Sequence, residues 1–436
     1  MKILILSPFI CCLGLHAATP APAANAPVEL TLGEAFDRIE LANQNVLIGR
    51  ENIGAATEGA RLARAGLLPS ITLNAQQYRT RTVGSSTGTT SLYNRFDGSL
   101  DGSAALLNVQ QIATWQSSRA GVQVAELDYL STVQDTLASL GQAFFTHLRN
   151  LKRRTVIEDN INRARVLLTL AENQFKAGVA TQIDVTRAQA LLSTAEQSRM
   201  QQETVVYQSE LNLKRLLNLP ADEPLLLERF SVRRTEPVSG GQSLEAEALA
   251  LRADYQSALH AVEQAKLTVR AARAERLPVL NAVGQYGYSA PDVMDHHQKE
   301  AWLAGLSLSL PVFDSSRSDA NRRIALAQLR TSQLRLDALE KQVAVEVRSA
   351  VQDSKSRLAQ ISAAEDNFAL AQEELRLARL RYEQGVADNR EVVDAQNRLA
   401  LASDNLVEAV HQYNLARLEL ARSRGNVRII LTKKSP

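Results

Sequence analysis

One short turn occurs twice in this chain, and its duplication limits what the chain can fold into. Phe175-Lys-Ala-Gly178-Val179-Ala180-Thr181-Gln-Ile-Asp184-Val185-Thr-Arg-Ala188-Gln189 returns as Tyr382-Glu-Gln-Gly385-Val386-Ala387-Asp388-Asn-Arg-Glu391-Val392-Val-Asp394-Ala395-Gln396. The match runs outward without a gap: Ala164, Leu168, Leu170 and Ala171 meet Ala371, Leu375, Leu377 and Ala378, while Leu192 and Ala195 meet Leu399 and Ala402. Similarity of this length is an internal duplication, so the fold must be built from two similar units.

In each copy a long helical pattern reaches the glycine, the chain reverses, and a second helical pattern leaves. Gly178 and Gly385 suit the position just past a helix end, where a left-handed backbone costs other residues more. Thr181-x-x-Asp184 and Asp388-x-x-Glu391 then read as capping boxes that open the return helices. Each turn is therefore the tip of a helical hairpin.

The formal net charge of the 436 residues is only +2, which gives no global reason to expect nucleic acid as a partner. Met1-Lys2, an apolar run to Leu15 and Ala17-Ala18 read as a secretory signal over 1–18, with cleavage as late as 26. Both cysteines, Cys11 and Cys12, lie inside it, so the exported chain has no disulfide framework. Phe9-Ile10 before them lacks the small residue that usually precedes a lipidated cysteine. No later apolar run approaches the roughly 18 residues of a membrane-spanning helix. If the chain crosses a membrane, it does so by strands.

Two structural repeats are expected at 27–218 and 243–425, joined by a linker over 219–242 and followed by a tail at 426–436. Each repeat opens with a helix, from Leu32 to about Ala65 and from Leu244 to about Arg276, closed by Leu-Pro at 68–69 and 277–278. Period-two stretches follow, from Ile71 to Val83 and from Val279 to Tyr288, then polar loops, then returning strands. The second return is clear in Trp302, Ala304, Leu306, Leu308 and Leu310 with Ser307 and Ser309 between them. The first, near Ser99 to Leu107, is interrupted by Asp101 and Gly102. Helical patterns from about 109 to 177 and 316 to 384 would each be on the order of 100 Å long. The opening and return helices are each about half that, so end to end they match one long helix. Val427 to Leu431 reads as a further strand.

On the last helix Val392, Ala395, Leu399, Ala402, Leu406, Ala409, Tyr413, Ala416 and Leu420 form a heptad seam with small residues at alternate positions, which favours close helix approach. The first copy begins the same seam at Val185, Ala188, Leu192 and Ala195 but meets Arg199 and Gln202, where packing should loosen or face water. A coiled coil does not explain the strands. Leucine on one face and serine on the other suits a barrel wall between lipid and a wet lumen. Four strands per chain are too few to close a barrel, so several symmetric copies are required.

With these features the chain resembles the TolC-like outer membrane factors of Gram-negative export systems. The resemblance covers nearly all of the mature chain. Its carriers are the opening Leu-x-Glu-Ala at 32–35, the Leu-Pro before each hairpin, Leu310-Pro-Val-Phe-Asp314 and the two Gly-Val tips. It implies a mainly helical fold with a small transmembrane β part: a homotrimer whose duplicated hairpins form an α-barrel tunnel capped by a 12-stranded β-barrel, four strands per protomer. It also implies a place in the outer membrane and periplasm, an inner-membrane transporter as partner, and a periplasmic adaptor docking at Gly178, Val179, Ala180, Gly385, Val386 and Ala387. Asp184, Tyr382, Glu391 and Asp394 align with the residues that narrow the family's periplasmic entrance. Where some members place a basic residue to tie the tip shut, Ala387 stands, so Arg390 would have to substitute. Asn45-Val46 replaces the family's usual Asn-Pro.

Simpler roles stand beside these. Asp184 and Glu391 have sufficient work as caps, whereas Asp394 lies beyond the first turn and is the better candidate for an acidic ring. Gly84-x-Ser86-x-Gly88 matches a nucleophile pattern but lies between strands without the elbow that catalysis needs. Asp295-His296-His297 lacks further metal ligands. His147, His260 and His411 are scattered singly on helices, and Lys152-Arg153-Arg154 with Arg270, Arg273 and Arg276 read as solvated faces. The expectation is a passive export duct without enzymatic activity, cofactor or metal. The alternative is a periplasmic coiled-coil adaptor or scaffold, which would need one hairpin flanked by glycine-rich β-domains rather than two equivalent ones.

Overall fold

A computed structural model describes residues 28–83, 90–227, 241–291, 293 and 299–431. The signal segment, the Gly84 to Gly88 motif, Asp295-His296-His297 and linker residues 228–240 lie outside the described residues. The elements in order are β1 (Val28–Leu30), α1 (Leu32–Ala42), α2 (Gln44–Ala65), β2 (Ser70–Val83), β3 (Thr90–Leu107), α3 (Val109–Lys176) and α4 (Gln182–Leu216). The second half has β4 (Leu225–Leu227), α5 (Gly241–Leu251), α6 (Ala253–Ala274), β5 (Val279–Ala290), β6 (Lys299–Ser309), α7 (Arg317–Glu383) and α8 (Asn389–Ser423). A 3-10 helix at Val427–Leu431 follows.

The long helices α3 and α7 have 68 and 67 residues, about 100 Å each. Helix α3 runs beside α2 and α4 on one flank and α6 and α8 on the other. The shorter helices stack end to end along it. Asn43 Nδ2 donates to the Leu216 carbonyl at 2.8 Å, seating the start of α2 on the end of α4. In the second half Gly425, with φ of +84°, brings the end of α8 so close to Arg252 that a Cβ there would meet the Arg252 amide nitrogen at 2.9 Å.

Those junctions break each opening helix, which the sequence suggested would be continuous. Asn43 leaves the helical region (φ −72°, ψ 131°) and caps α2 by accepting from the Asn45 amide at 2.9 Å. Arg252 makes the equivalent break between α5 and α6. Its guanidinium is held by Asp254 at 2.7 Å and Glu346 at 2.5 Å, and Arg422 approaches the same Glu346 at 3.7 Å. The break at Asn43, two residues before Asn45, does without the family's proline.

A waist core wraps α3 at mid-length: Leu137, Leu140, Phe144 and Phe145 pack with Phe36 and Ile39 of α1, Leu213 of α4 and Leu418 of α8. Strands β1 and β4, three residues each, pair in parallel against it. The tail joins the same core as a 3-10 helix, not a strand. Val427 and Ile430 are buried three residues apart on one side, and Arg428 between them holds Asp37 and Glu40 at 2.8 Å. Burial on one side at that spacing suits a helical turn and not an alternating strand.

The remaining strands form one antiparallel sheet in the order β2-β3-β5-β6. Strand β3 is longer than its sequence suggested, because Asp101 and Gly102 pair in register with Thr72 and Ile71. Asp101 fits because it lies on the polar face, accepting from Ser99 at 2.9 Å and from Asn74. Strand β6 stops at Ser309, one residue before Leu310, where Pro311 follows. Side-chain alternation along the registers gives the sheet two chemically distinct faces. One carries Ser70, Thr72, Asn74, Asp101, Ser307 and Ser309; the other carries Ile71, Leu73, Leu100, Tyr286, Trp302 and Leu306. Trp302 is 77% exposed and Leu306 70%.

Candidate gate and docking tips

Both tips close as Schellman turns. Val179 N–H donates to the Gln174 carbonyl and Val386 N–H to that of Arg381, each at 2.9 Å, with Gly178 at φ +71° and Gly385 at +69°. Val179 and Val386 are consequently presented to solvent, 69% and 67% exposed. Ala180 and Ala387 stand half-buried behind them.

The return helices start differently. Thr181 and Asp184 form the full capping box, the Thr181 amide donating to Asp184 Oδ2 at 3.0 Å. At the second tip only half of the expected box forms. Asp388 accepts from the amides of Arg390 and Glu391, at 3.0 and 3.3 Å. Glu391 turns instead to Arg381 on α7, at 3.5 Å. A second carboxylate at the Asp388 cap would add like charge, whereas Arg381 offers the opposite charge.

Above the tips the two hairpins share one core of Leu167, Ala171 and Ala188 with Ala371, Leu375, Tyr382, Val392, Ala395 and Leu399. The α8 seam is buried over this stretch as its heptads require. Polar side chains cross between the hairpins at its edges. Asn389 Nδ2 donates to the Asp184 carbonyl at 2.8 Å, Gln174 Nε2 to that of Tyr382 at 3.3 Å, and Gln396 Nε2 to that of Arg163 at 3.4 Å. Further up, Arg199 faces water and pairs with Glu203 on its own helix at 3.4 Å, as expected, but Gln202 is buried and donates to the Asn150 carbonyl at 2.9 Å, so the seam of the first copy closes again there.

The sequence-derived candidates fall into two groups. Asp184 and Tyr382 lie at the junction of the hairpins. The Tyr382 phenol is buried, and its hydroxyl has no hydrogen-bond partner among the described residues. Burial, with the nearby Asp184 charge second, pushes its pKa above the ordinary phenol value. Glu391 and Asp394 lie on α8 away from that junction, Glu391 half-buried beside Arg381 and Asp394 exposed and 3.9 Å from Arg390 one turn earlier. Arg390 thus engages its own helix and makes no ion pair across the hairpin among the described residues. The ties that the sequence reading missed are Asn389, Gln396 and Arg381. Asn389, Gln396 and Ser403 recur every seventh residue, the one pattern that could have revealed a buried polar stripe.

Other basic residues are less free than a solvated face implies: Arg153 reaches Asp404 on α8 at 3.0 Å, and Arg276 contacts Ser318 at 2.8 Å. Among the described residues no helix is long and apolar enough to cross a membrane.

The duplication has a counterpart among known proteins, since the family model described as outer membrane efflux protein matches the chain twice, over residues 37–219 and 244–426. The chain belongs to the outer membrane efflux protein family. It is 25% identical over 397 residues to the probable efflux pump outer membrane protein TtgC of Pseudomonas putida, covering 86% of this chain and 79% of the relative. It is 24% identical over 389 residues to the proteases secretion protein PrtF of Dickeya chrysanthemi, covering 86% of this chain and 83% of that one. The Campylobacter jejuni CmeC outer membrane channel superposes with a TM-score of 0.81 at 18% identity, over 90% of this chain and 85% of the other. This outer membrane efflux protein is therefore an outer-membrane component of cellular export, and its fold is that of the channel proteins. The scaffold alternative gives way to that assignment.

Proposed function

We propose that three copies of this outer membrane efflux protein assemble into one passive duct. Their sheets close edge to edge into a twelve-stranded barrel in the outer membrane, and their helices continue as a tunnel through the periplasm. One observation carries this reading: a four-stranded sheet with an apolar and a polar face, whose edge strands β2 and β6 belong to the same chain. Four strands cannot close a barrel, and an open edge in a bilayer leaves backbone groups without partners. Pairing β6 of one copy with β2 of the next removes every edge. The duct has no reaction to catalyse, and the energy for export comes from an inner-membrane pump.

The periplasmic entrance is gated at the tips. Asp394, exposed on α8, contributes one carboxylate per copy to a ring that attracts cations. Asp184 and Tyr382, at the junction, hold the two hairpins of each copy in the narrowed position, and Glu391 ties α8 to α7 within the second hairpin. The exposed Gly178-Val179-Ala180 and Gly385-Val386-Ala387 turns form the surface on which a periplasmic adaptor docks. Cargo moving outward in the relatives is named as toluene, antibiotics or proteases, and the same duct geometry serves small molecules and polypeptides alike.

Native mass spectrometry of the detergent-extracted mature protein tests the assembly. The expected species is three protomers with no monomer at micromolar concentration. A protein that is folded and monomeric in detergent contradicts the closed barrel.

A further inference from the structure

Two arginines stand on the wrong face of β2 for a channel lining. Along this strand Ser70, Thr72, Asn74, Gln76 and Tyr78 share the polar face, so Ile71, Leu73 and Ala75 project to the apolar side, and Gln77, Arg79 and Arg81 follow them there. The contrast with Arg95 is instructive. Arg95 lies on the polar face, donating to Asp97 at 2.8 Å and Ser289 at 3.2 Å and lying over the Tyr78 ring. Arg79 and Arg81 are exposed, and neither has an acidic partner among the described residues. Closing the barrel pairs β6 of one copy with β2 of the next and leaves this face toward the bilayer; the acidic residue that β6 carries on it, Glu300, is engaged by the Tyr286 hydroxyl of its own chain at 3.4 Å.

Their height on the strand fixes what surrounds them. Strand β2 leaves the end of α2 and runs away from the helices, so Arg81 lies on the cell-surface side of Ile71. Ten residues separate the two, roughly 34 Å along the strand and about 25 Å across the membrane at the usual barrel tilt. That is the full height of an apolar band, with the Phe96 and Tyr288 rings, 5.8 Å apart, one step further in. A guanidinium is costly at the midplane of the band and cheap at its rim, so these two groups meet the headgroup layer of the outer leaflet.

We propose that Arg79 and Arg81 form a site on the outer wall of the barrel for the phosphate groups of the glycolipid of that leaflet. Two residues apart on one face, the guanidiniums stand about 7 Å from each other, able to grip one phosphate or bridge two. Their planar forks suit bidentate phosphate contacts. Asn94, opposite Arg79 on the same face, adds a neutral donor for the sugar oxygens. The inference rests on the membrane-facing assignment of this face, and it gives the wall a preferred lipid.

The test uses the mature protein reconstituted in phosphatidylcholine nanodiscs, titrated with fluorescent bis-phosphorylated lipid A. Wild type should bind saturably, and R79Q/R81Q should bind at least about tenfold more weakly, while Arg95→Gln on the opposite face binds as wild type. Dephosphorylated lipid A should bind wild type as weakly as the double variant binds the phosphorylated form, a comparison that needs no mutant to fold. Millimolar inorganic phosphate should leave lipid A bound. Equal binding by R79Q/R81Q, equal binding of the dephosphorylated lipid, or displacement by free phosphate would each overturn the proposal. Wild type that fails to enter nanodiscs at all would overturn the barrel reading first and this site with it; normal insertion with unselective lipid binding would overturn the site alone.

Discussion

Asn389 is fully buried at the start of α8, and its amide spans the gap between the two hairpins to reach the Asp184 carbonyl. Losing such a bond while the carbonyl stays buried costs roughly 1–2 kcal/mol. In the proposed gate this bond joins the two hairpins that must part, so Asn389→Ala should raise the open-to-closed ratio about five- to thirtyfold, read as open time in single-channel recordings; unchanged open time would remove this tie from the gate. Little of this was legible in the sequence. Asn389, Gln396 and Gln202 look like residues of a solvated face, and only the packing of a second helix turns them inward. Glu391 was misread for a related reason. Its spacing from Asp388 permits a capping box, but Arg381, ten residues earlier and across the turn, competes for the same carboxylate.

Among the elements, the waist is where the helices depend most on one another. His147 of α3 is buried against Ser209 of α4 at 2.8 Å, and His411 of α8 is buried on the other flank. Burial lowers both pKa values below the ordinary 6.5. The unfolded chain therefore binds more protons than the folded one below about pH 6.5, so the contribution is complete above that value and is lost as the pH falls. Thermal midpoints should drop between pH 7 and pH 5, and the drop should be smaller in His147→Gln and His411→Gln; an unaltered pH slope in both variants would contradict this. The long helices, strand pairs and tips were readable from the duplicated turn, because their periodicities extend over many residues. The joints were not. Asn43 and Arg252 break helices without proline or glycine, since what stabilises each break is a partner far away in sequence: Leu216 for one and Glu346 for the other. Three-residue strands such as β1 and β4 carry no period, and the five-residue tail alternates too briefly to distinguish a strand from a helical turn.

For the whole molecule, the two-faced sheet and the long hairpins make sense only as parts of something closed by symmetry. A single copy leaves Trp302, Leu306 and Leu308 bare on one side and two strand edges open. Three copies in a bilayer satisfy both, and in the proposed duct Asp394 of each copy contributes to a carboxylate ring at the far end of a tunnel about 100 Å long. Three like charges around one narrow opening favour cations and repel one another, so the ring should govern ion preference more than the wide barrel does. The most direct measurement is the conductance of the purified mature protein in planar bilayers, with and without Asp394→Ala. The account predicts discrete, uniform, cation-preferring channels whose conductance or selectivity changes with the substitution. Channels that ignore the substitution would keep the duct and move its constriction to Asp184 or Glu391. A folded protein that gives no channels in either form would contradict the duct itself.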